Sequence, residues 1–153
     1  MDFWRHLEQQ IKQASGRDFH IHNNQSVGGG CINSAFKVTD KDQSYFIKTN
    51  HARYAHMFEA EAEALREMAA SATVRVPEPV CYGEYENQCY VVMEYLELGG
   101  SADMDRFGRQ FAAMHRVTAD SYGWRIDNTI GSTPQPNTQT DDWIDFWRQQ
   151  RLG

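Results

Sequence analysis

Residues 45–68 read YFIKTNHARYAHMFEAEAEALREM, a strand pattern containing Lys48 followed by a helix pattern containing Glu61. The helix, predicted over residues 54–70, is rich in Ala, Glu, Leu and Met. Its apolar stripe, spaced three or four residues apart, runs through Phe58, Glu61, Leu65 and Met68. A carboxylate on a core-facing stripe needs a cation or hydrogen-bond donors, because an unpaired buried charge is costly.

Lys48 is the nearest cation in the sequence that could pair with Glu61, whereas Glu59 and Glu63 project elsewhere and are expected to be solvated. An alternative is that Lys48 lies on an edge strand and extends its ammonium group to solvent. The first interpretation predicts an ion pair between a strand and a helix, and the second predicts a structural surface lysine.

Three consecutive glycines precede this segment in VGGGCINS, residues 27–34, between two strand candidates. Without Cβ atoms, the backbone can approach a polyanion and turn its N–H groups toward it. The run matches neither G-x-G-x-x-G nor the Walker pattern, so by itself it is more typical of a glycine-rich hairpin. Together with a strand lysine held by a helix glutamate, it indicates a loop that covers nucleotide phosphates, as in kinases.

The remaining pattern predicts the order helix, three strands, helix, two strands, and then a mostly helical segment. The predicted helix and strands on either side of residues 45–70 cover residues 3–14, 19–22, 34–39, 80–85 and 88–95. Beyond Gly99 and Gly100 a helical stripe contains Phe107, Phe111, Met114 and His115. Residues 123–140 are predicted to be a loop, and a last helix contains Trp143, Phe146 and Trp147.

Composition narrows the class of protein. The 153 residues are 41% hydrophobic, which is typical of a globular domain and excludes intrinsic disorder. A net charge of -6 argues against nucleic acid and anionic membranes as partners. Three scattered cysteines indicate neither a disulfide framework nor a metal site. With no apolar signal core and no spanning segment, a cytoplasmic location is expected.

Several uncommon runs in the right order resemble the fructosamine kinase (ketosamine-3-kinase) family over almost the whole chain. They are GGGCIN (28–33), FIKTN (46–50), MFEAEA (57–62), VRVP (74–77), MEYL (93–96) and GSTPQPN (131–137). The resemblance implies an α+β, protein-kinase-like small lobe, an antiparallel five-stranded sheet plus helix, over residues 1–97. It implies that residues 98–153 are the first helices of an incomplete large lobe.

The family resemblance implies ATP-dependent phosphorylation of a sugar hydroxyl on a ketosamine, meaning a glycated amine or protein lysine, in deglycation repair. ATP and Mg²⁺ are the implied cofactors. Lys48 would contact the α- and β-phosphates and Glu61 would hold it, while the adenine would bind main-chain groups at Glu94 and Leu96. The full set of implied nucleotide-binding residues is Gly28, Gly29, Gly30, Cys31, Ile32, Asn33, Ser34, Lys48, Glu61, Met93, Glu94, Tyr95 and Leu96.

The expected catalytic loop, His-Gly-Asp-Leu-Trp-x-Gly-Asn, and the later metal-binding aspartate do not occur in the sequence. We therefore expect no catalytic residue or metal ligand in this chain, and we expect it to be the N-terminal part of such a kinase. Asp127 and Asn128 are adjacent, whereas the kinase loop separates its Asp and Asn, so we reject Asp127 as the base.

Two alternatives to a ketosamine kinase stay open. The chain could be a non-catalytic nucleotide-binding or interaction module derived from the family. It could also belong to a kinase of another small molecule, like the aminoglycoside and choline kinases. The stretch TPQPN, residues 133–137, favours the ketosamine kinase over a kinase of another small molecule.

Two features predict self-association. Cys31 follows three glycines, so it is expected to be accessible, and its oxidation could join two chains and alter the phosphate loop; the alternative is an inert small residue. The apolar face of the last helix, which we define as Trp143, Ile144, Phe146 and Trp147, is the second candidate contact.

Overall fold

The computed structural model describes residues 2–28, 32–41, 43–101 and 103–152. Seven strands and four α-helices are described in this part of the chain. In order they are α1 (Phe3–Ser15), β1 (Asn23–Ser26), β2 (Ser34–Asp40), β3 (Gln43–His51), α2 (Ala55–Ala70), β4 (Pro79–Tyr85), β5 (Gln88–Glu94), α3 (Met104–Met114), β6 (Asn128–Ile130), β7 (Thr133–Gln135) and α4 (Trp143–Trp147). A 3₁₀ turn (Ala52–Tyr54) precedes α2, and a π-helical turn (Arg148–Leu152) extends α4.

A five-stranded antiparallel sheet with the order β1-β2-β3-β5-β4 forms the centre of the fold, and this confirms the predicted fold class. Successive side chains of a strand point to opposite faces of the sheet. On one face Ile47 and Tyr90 pack with Leu7 and Ile11 of α1. On the other face the neighbouring strand residues pack against α2, as Val91 does with Phe58. Each face is therefore covered by a different helix, and α2 covers the face to which Lys48 belongs.

Helix α1 begins and ends where the sequence predicts. The Asp2 side chain caps it by accepting a hydrogen bond from the backbone N–H of Arg5. Gly16 ends it in the left-handed conformation, with φ 69°, and its N–H donates to the Lys12 carbonyl. Leu7 and Ile11 are fully buried, so the helix is held by its apolar stripe on the sheet.

The first strand lies later in the chain than predicted. Phe19 is buried in the core, but residues 19–22 are not a strand, since their amides bond largely to side chains. The His20 N–H donates to Asp40 Oδ2 at 3.1 Å and the Ile21 N–H to Glu8 Oε1 at 2.6 Å. Pairing begins only at Asn23, in the fully polar edge strand β1. The apolar alternation in residues 19–22 correctly predicted the burial of Phe19, but it did not predict which residues pair with β2 as a strand.

The segment predicted to be a loop, residues 123–140, contains an antiparallel hairpin of β6 and β7. Pro134 in β7 and the shortness of both strands hide the period-two pattern from the sequence. The turn includes Gly131 with φ 62°, a left-handed conformation that favours glycine.

The described cysteines lie in the sheet, as expected. Cys89 is fully buried and Cys81 is half-buried. Burial raises the pKa of the Cys81 thiol to about 12 and also raises that of Cys89. Both thiols therefore stay protonated and unreactive at neutral pH. Cys31, the predicted redox-active cysteine, lies outside the described residues, so its oxidation stays a prediction.

The apolar face of the last helix is only partly exposed. Phe146 is buried, which corrects its assignment to a free surface, whereas Trp143, Ile144 and Trp147 are exposed by 50%, 70% and 44%. We expect the chain to self-associate through these three side chains, because burying their apolar surface in an interface between two chains is favourable. Light scattering should show a mass that rises with concentration and falls for Ile144→Glu. A constant monomer mass at high concentration would contradict the expectation.

No helix in the described ranges is long and apolar enough to cross a bilayer.

Candidate functional site

Lys48 and Glu61 form the predicted ion pair, with Lys48 Nζ 2.5 Å from Glu61 Oε1. Lys48 lies on β3, the middle strand of the sheet, opposite Ala35 of β2 and Val91 of β5. A lysine on a middle strand cannot reach solvent past a sheet edge, so the edge-strand alternative is wrong. The two side chains are 30% and 29% exposed, which leaves room for a ligand to reach the ammonium group.

The ion pair contributes little to the stability of the fold, but it fixes the orientation of the Lys48 side chain. Partly exposed pairs of this kind are worth on the order of 1 kcal/mol or less, because solvent screens them. The carboxylate of Glu61 instead confines a flexible side chain with a compact charge to one position above the sheet. A preoriented cation on this face can stabilise an anion without first losing conformational entropy.

The end of the glycine loop is fastened to the lysine strand by Asn50. The Asn50 Nδ2 amide donates to Asn33 Oδ1 at 2.7 Å and to the Ile32 carbonyl at 3.2 Å. Its Oδ1 accepts from the N–H of His51 at 2.7 Å. Asn50 is two residues beyond Lys48, so both side chains lie on the same face of β3. Sequence reasoning missed Asn50, although the period of two from Lys48 could have indicated it.

Replacing Asn50 by alanine should loosen the loop end. The variant loses two hydrogen bonds to residues 32–33, worth about 1 kcal/mol in total, so amide exchange at residues 32–35 should accelerate roughly fivefold. Hydrogen exchange followed by mass spectrometry would measure this, with the exposed Asn87→Ala as the control. Equal exchange in the two variants would show that Asn50 does not restrain the loop.

The structure describes only some of the other residues of the predicted glycine loop. Ser34 begins β2, and Ile32 and Asn33 immediately precede it. Gly28 follows β1 and has open space where a Cβ atom would lie. Gly29, Gly30 and Cys31 lie outside the described residues, so their part in phosphate binding stays a prediction.

The predicted adenine-binding segment follows the end of β5. Met93 is buried among Phe58 and Leu65 on the α2 face of the sheet. The N–H of Glu94 donates to the Glu78 carbonyl at 2.8 Å, and its carboxylate pairs with Arg75. An adenine ring at this position would therefore meet the backbone carbonyl of Glu94 and not its N–H, which is already used. Tyr95 and Leu96 are half-buried where the chain leaves the sheet.

The C-terminal segment, which we define as residues 123–152, is tied to α2 by Glu63, which was predicted to be solvated, and by Glu67. Glu63 pairs with Arg125 and Arg66, and Glu67 accepts a 2.6 Å hydrogen bond from the indole of Trp124. The hydrogen bond from Arg125 is the main reason why the pKa of Glu63 lies below its usual range. Glu63 was predicted to be solvated, and it is instead held by two arginines with 22% of its side chain exposed.

Asn137, the last residue of the GSTPQPN run, is held by several hydrogen bonds. It is 4% exposed, and its amide Nδ2 donates to the Ile126 carbonyl at 2.9 Å and to Asn128 Oδ1 at 3.0 Å. Its own N–H donates to Asp127 Oδ1 at 2.7 Å, and its Oδ1 accepts from Arg151 at 2.6 Å. Asp127 thus holds the backbone of Asn137, which agrees with its rejection as a base.

Comparisons with known proteins show which proteins the chain is similar to. The family model for fructosamine kinase matches residues 3–153. A protein of Synechocystis sp. named as a ketoamine kinase is 46% identical over 153 residues, which are 98% of this chain and 52% of the relative. The chloroplastic protein-ribulosamine 3-kinase of Arabidopsis thaliana is 45% identical over 132 residues, 84% of this chain and 40% of that protein.

A solved structure from Haemophilus somnus named as a fructosamine-3-kinase superposes on this chain with a TM-score of 0.90. It is 25% identical, and the match covers 97% of this chain and 52% of that chain. The chain thus spans about half the length of the Synechocystis and Haemophilus proteins.

Proposed function

The chain belongs to the fructosamine kinase family, and from this premise we propose that it provides the ATP-binding part of a kinase that phosphorylates a sugar hydroxyl of a glycated amine. The observation that carries the proposal is the preoriented Lys48–Glu61 pair on the middle strand, next to the anchored end of a glycine loop. Kinases rely on this combination to hold and neutralise phosphates. The names of the relatives point to ketoamines as the acceptor class.

In the proposed arrangement the ammonium group of Lys48 neutralises charge on the α- and β-phosphates, and Glu61 keeps it in place. Backbone amides from Gly29 to Ser34 cover the phosphates, and main-chain groups of Glu94 and Leu96 hold the adenine, with Met93 behind it. We assign this role to residues 1–97 as a nucleotide-binding lobe, and residues 98–153 to the beginning of a second lobe.

Magnesium would supply charge neutralisation between the phosphates of bound ATP. The one adjacent Asp–Asn pair in the described residues does not fit this role. Asp127 Oδ1 and Asn128 Oδ1 both accept hydrogen bonds from Asn137, so this pair serves to hold the fold together. We therefore assign neither a metal ligand nor a catalytic base to this pair.

A chimera provides the direct test of the proposal. These 153 residues would replace the matching half of the Synechocystis relative, and ATP-dependent phosphorylation of fructosyl-lysine would be followed by mass spectrometry. We expect activity from the chimera and none from the 153-residue chain alone, which lacks the catalytic-loop motif. A folded but inactive chimera beside an active relative would favour a non-catalytic module. Activity on an aminoglycoside or choline, but not on fructosyl-lysine, would overturn the substrate assignment.

A further inference from the structure

A cleft of about 320 Å³ lies beside the ion pair, between α2 and the β6–β7 hairpin. Its helix wall consists of the apolar Met57, Ala60 and Ala64 and of the carboxylate of Glu61. Its uncharged polar lining consists of Asn33 at the loop end and of Asn128 and Thr129 on the hairpin. The volume lies at the lower end of the range found for small-molecule sites.

The hairpin reaches the end of the glycine loop across this cleft. A Cβ atom on Gly131 would lie 3.3 Å from Cδ1 of Ile32, so the hairpin turn and the loop are in direct proximity. Glu61 also lines the cleft and holds Lys48 with the same carboxylate. A ligand in the cleft would therefore lie one side chain away from the cation that we assign to the phosphates.

The lining selects the chemistry of the ligand. Among the described residues that line the cleft there is no lysine or arginine, so an anion such as phosphate would lack a partner there. Within the part of the chain that the structure describes, the Thr129 hydroxyl makes no hydrogen bond. Asn33 and Asn128 use their Oδ1 atoms and leave their amide N–H groups for a ligand.

We propose that this cleft binds the polyhydroxylated chain of the acceptor sugar. The hydroxyls of the sugar form hydrogen bonds with Asn33, Asn128 and Thr129, and its C–H groups pack against the apolar residues of the helix wall. This inference rests on the proposed function, because it assumes that an acceptor sugar binds next to the phosphates. Sugars present both surfaces at once, hydroxyl edges and apolar C–H faces, and the two walls of the cleft match them.

The test is NMR titration of the 153-residue chain with fructosyl-lysine, comparing Thr129→Val with Thr133→Val. Valine has nearly the shape of threonine but no hydroxyl, and the exposed Thr133 lies on the same hairpin outside the cleft. We expect shifts at residues 33, 61 and 128–131, a roughly fivefold weaker affinity for Thr129→Val, and no change for Thr133→Val. Fructose should produce the same shifts more weakly, and lysine alone should not.

Equal affinity of both valine variants would overturn the inference, as would shifts confined to other residues or no shifts at all. These outcomes leave the proposed function standing, because ATP binding and its dependence on Lys48 are measured separately. Conversely, unchanged ATP affinity in a Lys48→Ala variant would remove the proposed function, and with it the premise of the acceptor cleft.

Discussion

Replacing Lys48 by alanine should weaken ATP binding by the 153-residue chain roughly ten- to hundredfold. A charge-assisted hydrogen bond to a phosphate is worth about 1.5–3 kcal/mol, and this side chain is already oriented by Glu61 at 2.5 Å. The fold should survive, because the pair is partly exposed and alanine is tolerated on a strand whose neighbours Ile47 and Val91 remain buried. Titration with a fluorescent ATP analogue would measure the loss.

Lys12→Ala is the matched control for Lys48→Ala, since it removes the same charge from a surface pair with Asp18 that is distant in sequence from the site. Equal losses of affinity in the two variants would mean that net charge, and not the position of Lys48, governs binding.

The partner of Lys48 can be tested without changing its shape. Glu61→Gln keeps the volume of the side chain but removes the charge that confines the ammonium group, so it should weaken ATP binding less than Lys48→Ala does. Glu59→Gln, two residues earlier on the exposed face of the same helix, should have no effect. A larger loss for Glu59→Gln than for Glu61→Gln would contradict our assignment of the helix face.

The sequence was sufficient for the ion pair because periodicity fixes faces. On α2, a spacing of three or four residues from the buried Phe58 and Leu65 places Glu61 toward the sheet. On β3, alternation with the buried Tyr45 and Ile47 places Lys48 on the face opposite α1. Two local patterns thus predicted a contact between residues 13 positions apart. It forms because the two predicted faces pack against each other in the fold.

The features that escaped prediction depend on contacts that local patterns do not encode. The all-polar β1 is a strand because β2 offers it an edge, and no apolar alternation marks it. Glu63 is held by Arg125, 62 residues away, and Asn50 is held by the loop end. Individual polar contacts of this length have no periodicity, so only the folded chain reveals which donor meets which acceptor.

Replacing Asn137 by alanine should lower the stability of the C-terminal segment by about 3 kcal/mol. Its side chain makes three hydrogen bonds, to the Ile126 carbonyl, Asn128 Oδ1 and Arg151, inside a residue that is 4% exposed. Truncation removes all three bonds and takes the amide donor from the half-buried Ile126 carbonyl and Asn128 Oδ1, which costs more than the bonds themselves contribute. Tryptophan fluorescence during urea unfolding would report the change, because Trp124, Trp143 and Trp147 lie in this segment.

Thr138→Ala, at the exposed neighbouring position, is the control and should change stability by less than about 0.5 kcal/mol. Asn137→Asp should be intermediate, because it keeps the acceptor for Arg151 but loses the amide that donates to Ile126 and Asn128. Since Asn128 also lines the proposed acceptor cleft, we expect Asn137→Ala to weaken fructosyl-lysine binding. ATP affinity should be retained, because we assign it to Lys48 on the other side of Glu61. Unfolding of Asn137→Ala that coincides with that of the unmodified chain would show that the hydrogen bonds of Asn137 do not hold the segment.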